Sequence, residues 1–506
     1  MPTAASWTDT TRALADVGHL VRFRAATVRR RGSAACVTTA FVGLTAAAAV
    51  VPAYAPGAGG PGRAFELLLL LPTALAGFLG LAVVSAVASG GGRELLDRDP
   101  AAVLPVSPTT DHLGALLLAP LNIAWLLQGW TLLGTTAYAL GPAGLAPAQA
   151  VVLVWLAVAT ALAQVVAWTF EGVRRTRHGI AVVRVVTVVL LGAALGLQAA
   201  GALVPLLDRL PTRQVVVGMV GGVSWSWAAT IAALLVALVV AVALGAVPAH
   251  LAARRTPRDE VGVESGRYAA RRLPRSDLAA LVRTDRGSVW RALPMRRGIA
   301  VLAVGPGAVA LLGDLPWSTM TVLPGLVASG GALLFGVNAW CLEGRGGLWR
   351  ESLPVAPGTV FAARAWVLAE FLLVASGVTV LLAAVRAGVP SPAELTALVC
   401  TVLVVTVQVV AAAMRWSARR PYAVDLRSAR ATPAPPLAMV GYSTRLAVST
   451  TLTGLVFSGL ARVPAWEVSA LVAVPFVCWS LVRLLRARAL WLDAPARARV
   501  VMTVAG

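Results

Sequence analysis

Two short stretches of the chain carry residues whose types and spacing could do chemistry, and the two stretches match each other. Each holds a glutamate, Glu94 or Glu343, and the two glutamates lie 249 residues (343 − 94) apart. A Leu-Pro-Val-x-Pro segment follows each glutamate in the same register. The segments contain Leu104, Pro105, Val106 and Pro108 in the first stretch, and Leu353, Pro354, Val355 and Pro357 in the second.

A carboxylate can bind an arginine of another protein, and proline stiffens the segment because it fixes φ at about −65° and restricts the residue before it. The matched stretches therefore predict two rigid loops that couple this chain to a two-fold partner. The alternative is that both are ordered turns that only begin the helices after them.

A second set of candidates lies inside long apolar runs. A charged side chain at the centre of a bilayer costs at least about 2.5–3.5 kcal/mol, so Glu370 is the most informative of the set. It can instead lie near the membrane interface and pair with Arg364 or another arginine. The amides can form hydrogen bonds between helices, and the arginines can extend to the lipid headgroups. The set comprises Asn122, Asn338, Glu370, Arg184 and Arg445.

Residue types needed for catalysis, metal binding and nucleotide binding are scarce in this sequence. All 43 basic residues are arginine, and a Walker A loop needs a lysine to reach the β- and γ-phosphates. The cysteines stand singly, and the histidines are scattered without metal-ligand spacing. We therefore expect no catalytic residue, metal site or cofactor in this chain. The residues concerned are Cys36, Cys341, Cys400, Cys478, His19, His112, His178 and His250.

The elements that must position these candidates are membrane helices. The composition is 58% hydrophobic and only 13% charged, and a soluble chain of 506 residues needs more charge on its surface. A helix rises about 1.5 Å per residue, so about 20 apolar residues cross the hydrocarbon layer. The runs lack the alternation typical of barrel strands. The twelve predicted spans are 34–54, 65–89, 113–140, 148–169, 180–206, 227–250, 298–313, 318–342, 362–385, 393–414, 440–461 and 465–485.

The matched loops follow the second and the eighth predicted spans, which indicates an internal duplication. We predict an all-α polytopic membrane protein of about twelve transmembrane helices in two six-helix parallel repeats. The first half covers 1–251, a cytoplasmic linker covers 252–277, and the second half covers 278–506. Amphipathic segments at 7–23 and 278–290 precede the first span of each half, and we expect both to lie in the membrane interface.

The arginines set the predicted orientation. Five of them lie in the outer loops when the first residues are inside, and the other 38 (43 − 5) lie in inner loops, tails or membrane edges. Arginine favours the cytoplasmic side, so we expect a multi-pass protein of a bacterial plasma membrane with both termini in the cytoplasm. The net charge of +21 does not indicate nucleic-acid binding, because no soluble domain carries it. The outer arginines are Arg63, Arg209, Arg213, Arg386 and Arg462.

With these features, nearly the whole chain resembles the membrane subunits of ABC-2 type ABC exporters, in the actinobacterial form with two fused six-helix halves. The motifs that carry the resemblance are the interfacial helix before each half, the two glutamate loops, an RxDxxSxWRxxPxRRG-like run from Arg283 to Gly298 and the Asp425-Leu-Arg region.

The resemblance implies that the two loops contact separate cytoplasmic ATPase subunits, one per half, which bind ATP and Mg. It implies that a path for an unknown hydrophobic or amphipathic substrate lies between the halves. It also implies short re-entrant helices within 210–226, for which the second half has too few residues over 462–466.

Two other classes of protein compete with a permease of an ATP-driven exporter. A secondary transporter of the major facilitator type also has twelve helices and a long central linker. Asp97-Arg98 is similar to part of that family's loop motif, but the glycine and paired basic residues expected after it are missing. A membrane enzyme acting on lipid-linked substrates would need clustered Asp, Glu or His, and no such cluster stands out.

Overall fold

Helices form all the regular secondary structure in the part of the chain that the structure describes. The structure is a computed structural model, and it forms two compact units, Met1–Arg267 and Tyr268–Gly506. The boundary between them falls within 252–277, where the sequence predicts a linker. The described residues are 7–26, 31–88, 106–121, 123–255, 274–312, 315–334, 336–423 and 433–506.

The first unit contains ten described α-helices, and two short 3₁₀ turns at Val51–Tyr54 and Ala119–Leu121. Its longest members are α3, α6 and α10, and both α3 and α10 pack against α6. The helices are α1 (Trp7–Ala26), α2 (Arg31–Val50), α3 (Arg63–Ala88), α4 (Pro108–Leu118), α5 (Ile123–Leu140), α6 (Leu145–Arg174), α7 (Gly179–Ala199), α8 (Leu203–Asp208), α9 (Thr212–Val220) and α10 (Trp225–Ala253).

The core of the first unit is apolar, with a few polar groups that form hydrogen bonds between helices. Leu75 and Trp155 are buried in it, and the Trp155 indole donates to the Leu75 carbonyl at 3.2 Å. The Gln149 amide donates to the carbonyls of Ala49 and Leu133 at 2.9 and 3.0 Å. Such bonds position membrane helices because lipid offers no competing hydrogen-bond partner.

The second unit also contains ten described α-helices, with a 3₁₀ turn at Gly336–Asn338. They are α11 (Asp277–Arg291), α12 (Leu293–Leu312), α13 (Trp317–Met320), α14 (Leu323–Leu334), α15 (Gly346–Glu351), α16 (Pro357–Ala384), α17 (Pro392–Arg419), α18 (Pro436–Leu460), α19 (Trp466–Leu492) and α20 (Ala494–Ala505).

Small residues allow helices of the second unit to approach closely. A Cβ added at Gly307 of α12 would lie 2.6 Å from the Thr379 carbonyl oxygen of α16, so only glycine fits there. Beside it, the Thr379 hydroxyl donates to the Ala303 carbonyl at 2.8 Å. Small residues at helix contacts are typical of membrane proteins, where close backbone approach and interhelical hydrogen bonds replace the hydrophobic effect.

Six described helices are long and apolar enough to cross a membrane, three in each unit. This composition and the all-helical structure give the chain the character of an all-α membrane protein. The count of twelve spans and the six-plus-six repeat stay predictions. The six segments are Arg63–Val87, Leu145–Arg174, Trp225–Ala253, Pro357–Ala384, Pro392–Arg419 and Trp466–Leu492.

Three predicted spans are divided into separate α-helices, where we expected continuous ones. The span predicted at 180–206 is divided into α7 and α8 by a turn at 200–202. The span predicted at 113–140 is divided into α4 and α5 by the turn at Ala119–Leu121, where Pro120 lacks an N–H donor. The span predicted at 318–342 is divided into α13, α14 and the 3₁₀ turn that ends at Asn338. Asn338 therefore lies at a helix break rather than in mid-helix.

The two predicted amphipathic segments are helical, as α1 and α11. The Ser276 side chain caps α11 by accepting from the Ala279 N–H at 3.3 Å. Val282 and Val289 of its apolar stripe are buried. Within the predicted re-entrant region of the first half, the structure has the short helix α9, which follows α8.

Candidate functional site

The two matched loops differ in how much of them the structure describes. Glu94, Leu104, Pro105 and Asn122 lie outside the described residues. Val106 is described, and Pro108 is the first residue of α4, whose N-terminus is capped by Ser107 accepting from the Thr110 N–H at 3.0 Å. The second loop is described in full, so the site is built from it.

The second loop runs from the 3₁₀ turn at Asn338 to the start of α16. Gly344 takes a positive φ of 46°, and the Gly346 N–H donates to the Glu343 carbonyl at 2.8 Å, which reverses the chain into α15. After α15 the Leu353 N–H donates to the Arg350 carbonyl at 3.0 Å. Pro357 then begins α16, where its missing N–H costs nothing.

A buried guanidinium holds this loop to two helices. Arg364 of α16 is fully buried, and it donates through Nε and Nη2 to the two carboxylate oxygens of Asp285, each at 3.0 Å. Its Nη2 also donates to Glu343 Oε1 at 2.6 Å, and its Nη1 donates to the Ala339 carbonyl. Asp285 lies on α11, so one side chain joins the loop, α11 and α16.

Two stacked indoles extend the buried network to α19. Trp340 of the loop and Trp491 of α19 lie with ring centroids 3.8 Å apart and planes at 8°. The Arg350 guanidinium carbon lies 5.7 Å from each ring centroid, and that of Arg364 lies 5.4 Å from Trp340. The Trp491 indole also donates to the Pro357 carbonyl at 3.0 Å. Guanidinium groups over indole faces gain cation–π attraction that strengthens away from water.

We name these six residues the Arg364 cluster; its members are Asp285, Trp340, Glu343, Arg350, Arg364 and Trp491. Burial raises the pKa of the Glu343 carboxyl, and the charges of Arg364 and Arg350 pull that pKa back down. Both carboxylate oxygens of Glu343 contact guanidinium groups: Oε1 contacts Arg364, and Oε2 contacts Arg350. Paired opposite charges are the arrangement in which buried ions are tolerated. The hydrogen bonds of the cluster are not complete, because Arg350 Nε and Trp340 Nε1 are buried without a hydrogen-bond partner among the described residues.

The partners of the Glu343 carboxylate differ from the one we expected. The sequence suggested that its carboxylate meets an arginine on another protein, but both of its oxygens are engaged by Arg364 and Arg350 of the same chain. The carboxylate therefore anchors the loop to residues of its own chain. The docking role of the loop as a whole stays a prediction.

The exposed surface of this loop is apolar. Trp349 is 79% exposed and Leu353 is 57% exposed, and Leu348 and Pro354 are also exposed. Val355 is half-buried and packs against the core of the second unit. The loop thus has two different sides. Its inner side is charged and fixed, and its outer side carries large apolar side chains that their own unit does not bury.

The other polar candidates lie apart from one another. Glu370 of α16 accepts two hydrogen bonds from Arg286 of α11, at 2.6 and 3.0 Å, and both side chains are partly exposed. Its partner is therefore the second of the alternatives, an arginine other than Arg364. Asn338 is buried and donates to the carbonyls of Tyr422 and Pro433.

Arg184 of α7 and Arg445 of α18 are both exposed in the structure. Their exposure is compatible with headgroup contact, which stays a prediction. Within the described ranges no group of three His, Cys, Asp or Glu residues is placed to hold a metal ion.

Sequence reasoning missed most of the Arg364 cluster. Asp285 belongs to the RxDxxSxWRxxPxRRG-like run, and Arg364 had been considered only as a partner of Glu370. One signal in the sequence pointed to Arg364 as a functional candidate: it is an arginine near the start of an apolar run, two turns after Pro357. Trp340 and Trp491 are 151 residues (491 − 340) apart, and no local pattern connects them.

No family model, no curated protein and no solved structure matches this chain. The site therefore rests on its geometry.

Proposed function

We propose that this chain is the membrane-spanning permease subunit of an ATP-driven exporter of the ABC type, energised by separate cytoplasmic ATPase subunits. The observation that carries the proposal is the second loop. Its inner side is fixed by the Arg364 cluster to α11, α16 and α19, while Trp349 and Leu353 project from its outer side. A loop anchored in this way can transmit force from a bound protein to membrane helices.

Other features support parts of the same proposal. The apolar helices suit passage of a hydrophobic or amphipathic substrate through a bilayer. These 506 residues contain no lysine and so cannot form a Walker A site themselves, which supports a separate ATPase. The matched first loop suits a second copy of the ATPase. The outward direction of transport rests on the family resemblance, and the cytoplasmic location of the loops rests on the arginine distribution.

The experiment that tests the proposal is purification of the tagged chain from its native membrane in mild detergent. We expect it to co-purify with a protein that carries Walker A and Walker B motifs, and the reconstituted pair to hydrolyse ATP. The chain alone should not hydrolyse ATP. Substrate transport driven by an ion gradient, in vesicles that contain this chain and no ATPase, would contradict the proposal and favour a secondary transporter.

A further inference from the structure

Helix α20 is folded back onto the second unit. Asp493 caps its first turn by accepting from the Ala496 N–H at 3.2 Å. Val500, Val501 and Val504 are at most 5% exposed, and they belong to the same apolar core as the stacked indoles of the Arg364 cluster. The helix is therefore a packed part of the unit.

Helices α15 and α20 lie side by side. Arg497 of α20 donates through Nε to Glu351 Oε2 of α15 at 3.0 Å, and the other oxygen of Glu351 accepts from Arg350 at 3.3 Å. A Cβ at Gly347 would lie 3.5 Å from the Val501 side chain, which is ordinary contact distance. The Trp491 indole donates to the Pro357 carbonyl, which joins the C-terminal end of α19 to the N-terminal end of α16. Helix α15 precedes that end of α16, and α20 follows that end of α19.

The faces that these two helices leave uncovered combine apolar and basic side chains. Trp349 of α15 is 79% exposed and Met502 of α20 is 64% exposed. Arg345 and Arg499 are also exposed, and within the described residues no carboxylate pairs with either. Glu351 is already engaged by two arginines. The uncompensated charge of this surface is therefore positive.

We propose that α15 and α20 together form one docking surface, and that its occupant is an ATPase subunit with an apolar groove bordered by acidic side chains. The inference rests on the proposed function and extends it, because it assigns half of the contact to a helix outside the matched loop. Trp, Met and Arg are enriched in protein–protein interfaces, and the unpaired arginines complement acidic groups on the partner.

The test places a photo-activated cross-linking amino acid at position 349, 502 or 225 of the full chain in its native membrane. Trp225 is the matched control, because it is 92% exposed and belongs to a predicted outer loop. We expect cross-links from 349 and from 502 to one protein that carries a Walker A motif, and none to that protein from 225.

Each result decides between the proposals. Cross-links to the ATPase from 349 but not from 502 would overturn the composite surface and leave the proposed function standing. Cross-links from both positions to phospholipid alone, while the ATPase still co-purifies, would also overturn the composite surface and leave the proposed function standing. If no ATPase co-purifies with the unmodified chain, both proposals fail.

Substitutions give a second readout that does not depend on cross-linking chemistry. Trp349→Ala should weaken binding of the ATPase at least tenfold, and Met502→Ala should weaken it by about threefold to tenfold, as for interface side chains near the centre of a contact. Arg499→Glu should weaken binding most at low salt. Trp225→Ala should change nothing. Unchanged affinity in Met502→Ala and Arg499→Glu together would overturn the role of α20.

Discussion

Removal of the buried guanidinium is the most direct test of the Arg364 cluster. Arg364→Met keeps an apolar stem and deletes the donors that bind Asp285, Glu343 and the Ala339 carbonyl. Breaking a buried ion pair by removing one member costs about 3–5 kcal/mol, because the other charge is left uncompensated. Glu343 retains Arg350, so the main loss falls on Asp285.

The loss can be measured as thermal unfolding of the detergent-solubilised protein. The second unit spans 239 residues (506 − 268 + 1), and for units of that size one kcal/mol corresponds to about 2–4 °C. We therefore expect Arg364→Met to lower Tm by about 6–20 °C. Arg364→Lys should fall between this variant and the wild type, because one ammonium group cannot reproduce the two-pronged contact with Asp285.

The chain provides a matched control on the same two helices. Arg286 and Glu370 join α11 and α16 as Arg364 and Asp285 do, but their side chains are 45% and 32% exposed. Exposed pairs contribute about 0–1 kcal/mol, so Arg286→Met should lower Tm by no more than about 4 °C. Equal shifts in Arg286→Met and Arg364→Met would refute the reasoning from burial.

A double variant separates lost attraction from uncompensated charge. Adding Asp285→Asn to Arg364→Met removes the stranded carboxylate, so the double variant should be more stable than Arg364→Met alone. If the two losses simply add, the pair does not interact in the way that the 3.0 Å contacts indicate.

Two further outcomes follow from close packing and from the arginine distribution. Gly307→Val should lower the free energy of unfolding by about 1–3 kcal/mol, because its Cβ would press on the Thr379 carbonyl. Gly305→Ala on the same helix is the control and should be neutral, because the added Cβ meets nothing within 4 Å. Thermal unfolding of both variants measures the difference. In a chain without its native cysteines, a cysteine at Ala143 should react with an impermeant thiol reagent applied to intact cells and one at Gly262 should not, and the reverse pattern would contradict the predicted orientation.

Periodicity and composition were sufficient to predict the long apolar helices. Apolar runs of about 20 residues or more, such as Arg63–Val87 and Trp466–Leu492, are helical in the structure, because backbone groups in lipid must be satisfied within their own segment. The amphipathic stripe of α11 was also predictable, since Val282 and Val289 recur at helical spacing and are buried. These features depend on neighbours in sequence.

The breaks within predicted spans were harder to foresee. Hydropathy averages over a window, so the single residue Pro120 does not lower the signal of the run around it. The turn at Gly336–Asn338 is stabilised by distant groups, since the Asn338 amide donates to the Tyr422 carbonyl, 84 residues further on (422 − 338), and to that of Pro433. No local pattern encodes contacts of that kind.

The Arg364 cluster shows the same limit at the candidate site. Glu343 and the Leu-Pro-Val-x-Pro segment were identified because they repeat, but a repeat does not reveal what a side chain faces. The other members of the cluster come from the loop itself and from α11, α15, α16 and α19, which lie at very different distances along the chain. An arginine near the start of an apolar run is also common, since it can extend to the headgroups. Burial of Arg364 becomes apparent only from the folded unit.

The repeat itself now separates what the two loops share from what they do not. In the register that matches Glu343 with Glu94, the positions of Trp340, Arg350 and Arg364 are taken by Gly91, Ala101 and Ala115. The glutamate and the proline segment are therefore common to both loops, whereas the arginines and the indole that hold the second loop are not. The arginines near Glu94 in its own loop are instead Arg93 and Arg98, at positions where the second loop has Leu342 and Gly347. A match of glutamate and proline segment between two loops therefore does not by itself predict that both loops are held in the same way.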